Sequence, residues 1–166
     1  MAGRGPAAEP LPLPPAYGKA TEPMAWSEAN RLLTESRVYW IASVRPDGRP
    51  HVVPSDGIWL DDALYFGGSP ETVHMRNVSA DGRAAAHVGD GLEAAIIVEG
   101  AVTHGIPERP TAERLAEANN TKYADYGMTM TPEAYLETGV TALRARRVLA
   151  WTRFPDNATR FVFGKD

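Results

Sequence analysis

Trp40-Ile41-Ala42-Ser43-Val44-Arg45-Pro46-Asp47-Gly48-Arg49-Pro50-His51 is the stretch on which the fold turns. Val38 to Val44 is apolar on both alternating faces, with Val38, Trp40 and Ala42 on one and Tyr39 and Ile41 on the other, the pattern of a strand covered on both sides. Arg45-Pro46-Asp47-Gly48 follows with proline second and glycine last, which is a turn, so the chain folds back as a β-hairpin. The returning strand, His51 to Leu60, carries Pro54 and Gly57 inside it. A ladder interrupted in this way is tolerated only at an edge, a bulge or a sharp bend, and strands that bend like this suit a small barrel.

On the N-terminal side, Trp26, Ala29, Leu32 and Leu33 recur at helical spacing, and Ser27 is a possible N-cap for a short helix to about Ser36. Residues 1 to 23 contain six of the fourteen prolines and read as an extended arm, with the domain proper spanning residues 24 to 166. On the C-terminal side, Asp61-Asp62 turns into a strand from Ala63 to Phe66, and a short helix is expected over Pro70 to Ser79. Arg83 to Val88 and Glu93 to His104 form an antiparallel pair around Gly89-Asp90-Gly91. Pro110 to about Tyr123 is a helix expected to be peripheral, followed by a loop from Gly127 to Pro132. Val140 to Trp151 and Thr159 to Phe163 close the fold around Pro155-Asp156-Asn157, giving six or seven strands and three helices in one domain.

Composition removes several classes of function. The 166 residues carry 21 acids against 17 bases, and the arginines are scattered, so there is no electrostatic footprint for nucleic acid. Cysteine is absent, which excludes disulfides, a thiol nucleophile and thiolate metal sites, and fits a cytoplasmic location. No apolar run approaches the roughly 20 residues that span a bilayer, and Met1 to Glu9 lacks a secretory h-region, so no membrane role is expected. His51, His74, His87 and His104 form no ligand pair, so no metal is expected. Neither a G-x-G-x-x-G, a P-loop nor a G-x-S-x-G elbow occurs, so any enzymatic chemistry has to come from a cofactor.

The hairpin stretch, then Leu64-Tyr65-Phe66-Gly67-Gly68-Ser69-Pro70, then Met75-Arg76-Asn77, Val98-Glu99-Gly100 and Arg147-Val148-Leu149-Ala150-Trp151 follow one another in an order and spacing that resembles the pyridoxamine 5'-phosphate oxidase-like family of flavin- or F420-dependent split β-barrels. The resemblance implies a mainly β fold with short helices, the FMN-binding split barrel. It also implies a homodimer whose site lies between two subunits, and coenzyme F420 or FMN as the cofactor.

At Gly67-Gly68-Ser69-Pro70 two glycines permit close backbone approach and Pro70 is expected to start a helix with free N–H groups. The stretch reads either as an ordinary capped helix whose Arg76 meets a surface carboxylate or, as the resemblance implies, as the site of a cofactor phosphate. Arg76, six residues on, is expected at the cofactor's phosphate or acidic tail, and Gly68, Ser69, His74 and Asn77 belong to the same stretch. Many relatives carry basic residues before the Arg-Asn pair, whereas this chain has Glu71-Thr72-Val73-His74-Met75 with His74 as its one possible cation. Phosphate affinity is therefore expected to be either weakened or rebuilt from other residues such as Arg45, Arg49 or the arginines at 144, 146 and 147. After Pro54, where relatives continue with apolar or aromatic residues, this chain has Ser55 and Asp56, either facing the cofactor and substrate or lying on a solvent-facing bulge. Ser43 and His51 flank the hairpin and are further candidates. Ser55, Asp56 and His51 are the catalytic candidates, while Ser43, Arg49, Pro54, Gly68, Ser69, His74, Arg76 and Asn77 are those for cofactor binding.

The leading functional expectation is an F420H2-dependent reductase delivering hydride to a conjugated C=C or C=N bond of a small molecule. The alternatives are an FMN-dependent oxidoreductase of the pyridoxamine-phosphate oxidase type, and a non-catalytic flavin-, F420- or haem-binding module.

Overall fold

The structure, a computed structural model, describes residues 5–91, 94–127 and 129–164. Glu93, where one strand was expected to begin, Met128 in the expected loop, and the outer ends of the arm and the domain lie outside the described residues. Nine strands and four α-helices are present among the described residues. They run as β1 (Ala7–Pro10), α1 (Trp26–Glu35), β2 (Tyr39–Val44), β3 (Pro50–Ser55), β4 (Ile58–Leu60), β5 (Ala63–Phe66) and α2 (Val73–Ala80). Then follow β6 (Arg83–Val88), β7 (Ala95–Gly105), α3 (Arg109–Lys122), α4 (Pro132–Thr138), β8 (Val140–Trp151) and β9 (Thr159–Val162).

The sheet is antiparallel in the order β1-β9-β8-β7-β6-β2-β3, with β5 pairing β4 and β8. The split comes from β8, which pairs with β5 over Thr141 to Arg144 and with β9 over Arg147 to Ala150 while β7 runs along its other edge. The register with β7 shifts between Glu99 and Gly100, the bulge that lets the long strand curve. A Cβ on Gly100 would lie 1.8 Å from the Arg144 carbonyl oxygen, so only glycine lets the two backbones approach this closely.

The expected hairpin is present: the Gly48 amide donates to Arg45 O at 2.8 Å, and Ser43 stands opposite His51 in the register. β3 is the edge strand, which is why Pro54 is accommodated there. The chain bends at Asp56-Gly57, so what reads as one strand is two with different partners. Residues 7–10 of the proline-rich segment are extended and pair with β9, a non-local contact that no local pattern reveals. α1 begins after Ala25, and Ser27 lies within its first turn instead of capping it.

One core fills the barrel, with Tyr39, Ile41, Leu64, Ile96, Leu143 and Phe161 buried beneath α1. A second lies between β4, β5, β8 and α3 and contains Ile58, Ala63, Tyr65, Leu115, Tyr123 and Ala142. All four residues of β5 are buried because alternate side chains serve the two cores. α3 is therefore not peripheral: its stripe of Ala112, Leu115 and Ala116 is buried, and small residues among charges hide that stripe from the sequence. The expected loop ends at Pro132, where α4 begins, and no helix was expected there, although Thr131 accepts a hydrogen bond from the Ala134 amide as N-cap and Pro132 stands at N1, a legible helix start. No described helix is long and apolar enough to cross a membrane.

Candidate functional site

β5 delivers the chain to Gly67-Gly68-Ser69-Pro70, and α2 begins at Val73, three residues later than expected. The delay is a turn in which Ser69 O accepts from both the Thr72 amide at 2.9 Å and Thr72 Oγ1 at 2.7 Å. No side chain caps α2, so the amides of Val73, His74 and Met75 have no protein partner among the described residues. Such donors at a positive helix end favour an anion. Gly68 has φ +150°, and a Cβ there would stand 2.8 Å from His74 Nε2, so the loop lies tight on the helix. His74 is buried with Nε2 3.2 Å from Gly67 O, and Arg76 is exposed with no side-chain partner among the described residues. Ser69 Oγ donates to Glu71 Oε2 at 2.8 Å, placing a carboxylate in the same loop.

The hairpin candidates are arranged differently. Asn77 Nδ2 donates to Ser43 Oγ at 3.0 Å, and both side chains are 3% exposed, so the pair ties α2 to β2. His51 Nδ1 is 3.3 Å from an Arg45 guanidinium nitrogen, and Arg49 is paired with Asp47 at the exposed hairpin tip. Of the other arginines proposed for phosphate, Arg147 pairs with Glu99, while Arg144 and Arg146 are exposed. Pro54 lies exposed on the edge strand opposite Trp40. Ser55 Oγ donates to the Asp56 carbonyl at 2.8 Å, and the Asp56 carboxylate has no ion pair or hydrogen bond among the described residues.

Asp56 and Gly68 come together on the wall of a cleft of about 560 Å³ under α3 and α4, with Met75, Tyr126 and Tyr135 among its other walls. The Asp56-Gly57 corner is fixed from behind. Tyr123 OH accepts from the Gly57 amide at 2.9 Å and lies 2.8 Å from Arg37 O, while Lys122 Nζ donates to Ser36 O, Tyr39 OH and Gly57 O at 2.9, 3.1 and 3.2 Å. Burial, uncompensated by a carboxylate, brings the Lys122 amine down to about 8. Burial also pushes the Tyr39 and Tyr123 phenols above their ordinary range. Tyr126 stacks on Tyr123 with centroids 5.5 Å apart, and His104 lines the cleft with Nδ1 3.0 Å from Thr141 Oγ1.

The tyrosines, Lys122 and His104 were not among the expected site residues. Their convergence depends on α3 and α4 folding over the β4–β5 hairpin, and the only local signal is a tyrosine every three residues at 123 and 126. Among the described residues no group of three or more His, Asp or Glu residues is placed to hold a metal ion.

Comparison with known proteins agrees with this architecture. Among solved structures, the haem-binding protein from Mycobacterium smegmatis superposes with a TM-score of 0.65 at 20% identity, covering 86% of this chain and 60% of that one. An F420 reductase gives 0.53 at 23% identity over 72% of this chain and 94% of its own. A Clostridium acetobutylicum protein related to general stress protein 26 of B. subtilis, of the pyridoxinephosphate oxidase family, gives 0.56 at 15% identity, covering 82% and 93%. At such identities these likenesses speak for the fold alone. No curated protein matches in sequence. The family model for pyridoxamine 5'-phosphate oxidase matches residues 25–152, which span the barrel from α1 to the end of β8. The chain is thus a split β-barrel that belongs to the pyridoxamine 5'-phosphate oxidase family.

Proposed function

We propose that the chain is an F420-dependent oxidoreductase that works as a homodimer. The observation that carries the reading is the uncapped start of α2 beside the aromatic cleft, where three amides and the unpaired Arg76 offer an anion site at the edge of a space fit for a planar ring. These residues fit the phosphate of a flavin-like cofactor through backbone donors, with Gly68 permitting its close approach. When bound, the reduced deazaflavin supplies hydride to a conjugated C=C or C=N bond. The chain's part is to hold the ring against the Asp56-Gly57 corner, exclude water with α3 and α4, and present Ser55, Asp56 or His51 to the substrate.

F420 is preferred to FMN because the loop replaces a basic phosphate clamp with Glu71 and leaves Arg76 as its single exposed cation. The dimer reading is supported by the outer face of the sheet, where Trp40 is 48% and Val52 55% exposed on neighbouring strands, leaving an apolar surface beside the edge. Titration of the purified protein with F420 and with FMN, followed by fluorescence quenching, tests the reading. Saturable quenching of F420 is the expected result, and a yellow FMN complex that survives dialysis would replace it with the FMN-dependent alternative. A monomer at micromolar concentration in sedimentation analysis would remove the shared site.

A further inference from the structure

We infer that the cleft under α3 and α4 binds a small organic cation, a protonated amine or quaternary ammonium on an apolar body, with Asp56 as its counter-ion and the Tyr135 ring as its aromatic wall. The assignment goes beyond the cofactor reading and stands whichever cofactor the protein uses.

The charge balance of the wall points there. Among the described residues Asp56 is the only carboxylate lining the cleft, and neither lysine nor arginine lines it. The two cations nearest the tyrosines are already bound by the protein, and Arg37 lies over the Tyr126 and Tyr123 rings at 4.9 and 5.6 Å from their centroids, so of these two and Tyr135 only the last is left open among the described residues. Arg37 is bound in two-pronged fashion to Asp125, at 3.0 and 2.6 Å, and Lys122 directs its donors to the three oxygens behind the Gly57 corner. Asp56 therefore stands on a largely apolar wall without a protein cation, the arrangement in which a carboxylate attracts an external one most strongly.

The backbone that presents this carboxylate is held rigid. The Asp56 carbonyl is fixed by Ser55 Oγ, the Gly57 amide donates to Tyr123 OH at 2.9 Å, and the Gly57 carbonyl accepts from Lys122 Nζ at 3.2 Å. Tyr135 lines the same space as Asp56, and its phenol is raised by burial and, less, by the field of that carboxylate. Tyr126 keeps 56% of its surface exposed at this wall, and Met130 adds a polarizable side chain. Aromatic faces with one carboxylate bind an ammonium group through the ring quadrupoles and a single charge, and they disfavour an anion. The anion site at α2 and this cation site are thus chemically distinct stretches of one cleft, suited to an anionic cofactor and a cationic partner molecule.

The test uses two probes of one shape, choline and its neutral isostere 3,3-dimethylbutan-1-ol, titrated into the full-length protein without cofactor. Tyrosine ring resonances are followed by NMR and heats by calorimetry. Choline should bind roughly tenfold more tightly than the alcohol, with shifts centred on Tyr135. Asp56→Asn should remove that preference at unchanged melting temperature, Asp56→Ser should do the same, and Tyr135→Leu should weaken choline more than the alcohol. Equal binding of the two probes, binding of neither, or a preference that survives both Asp56 substitutions would overturn the inference. Because no cofactor is present, failure here leaves the F420 titration untouched, and the reverse holds as well.

Discussion

The hairpin junction and the cleft wall both carry polar residues of the kind that bind cofactors, yet they treat them in opposite ways. At the junction every candidate is tied to another protein group: Asn77 to Ser43, His51 to Arg45, Arg49 to Asp47. Around the cleft Ser55, Ser69 and His74 are engaged, but three groups are open: the amides starting α2, Arg76 and the Asp56 carboxylate have no protein partner among the described residues. A buried polar group must be paired to be tolerated, whereas a group awaiting a ligand must be left unpaired. The difference separates residues that hold the scaffold from residues left for chemistry, and it says where a substitution should register.

The largest effect should come from the tied side. Asn77→Ala removes the only partner seen for the buried Ser43 hydroxyl and leaves a cavity between α2 and β2, a loss of about 2 to 4 kcal/mol in unfolding free energy by denaturant titration. Cofactor affinity per folded molecule should hold. A mutant of wild-type stability with lost binding would move Asn77 to the open side and break the division.

On the open side, Arg76→Ala should weaken cofactor binding by about tenfold to a hundredfold, the loss of one charge-assisted contact, while the melting temperature stays put because no carboxylate depends on it. A fall in melting temperature at constant affinity would show that the exposed guanidinium has a structural partner after all. Glu71→Gln should act in the opposite direction and more weakly. Its carboxylate sits on Ser69 Oγ within the proposed anion loop, so removing the charge should tighten F420 or inorganic phosphate about two- to threefold. Unchanged phosphate affinity would place the anion away from the loop.

How far the sequence could anticipate this division follows from the range of each signal. The hairpin was legible because Arg45-Pro46-Asp47-Gly48 is local turn chemistry, whereas Pro54 and Gly57 left edge, bulge and bend open, and the structure has both an edge strand and a bend there. The start of α2 was placed three residues early because Pro70 imitates an N1 proline, whereas the Ser69–Thr72 turn postpones the helix. The tied pairs were invisible as pairs: Ser43 and Asn77 are 34 residues apart, and only the packing of α2 on β2 decides that they satisfy each other. Asp56 stood out as a candidate because it and Ser55 follow the bend proline where relatives continue with apolar or aromatic residues. The tyrosines facing it did not, since the second core brings them there.

Lys122 lies on the boundary between the two regions, and its effect should be the smallest. Its three donors are engaged, as on the tied side, but its charge has no carboxylate. An unfolded lysine titrates near 10.5, and burial brings this one to about 8. Between those values the unfolded chain holds a proton that the folded chain has released, so stability should rise with pH through this window, while below about 8 the burial penalty is fully present. Tyr39 and Tyr123 act in the opposite sense only above their ordinary value of 10, where the unfolded chain ionises first, so the interval from 8 to 10 belongs to the lysine. The amine is only half-buried, and solvent screening keeps the rise modest. Lys122→Met removes the hydrogen bonds at every pH and thus shifts the curve by a constant, but it should flatten the slope between 8 and 10 in denaturant midpoints measured against wild type. Parallel curves would mean that Lys122 keeps its charge throughout, which requires a stabilising anion. The nearest unpaired carboxylate on the cleft wall is Asp56, so that outcome would join the two regions into one electrostatic unit and remove the basis for an external cation.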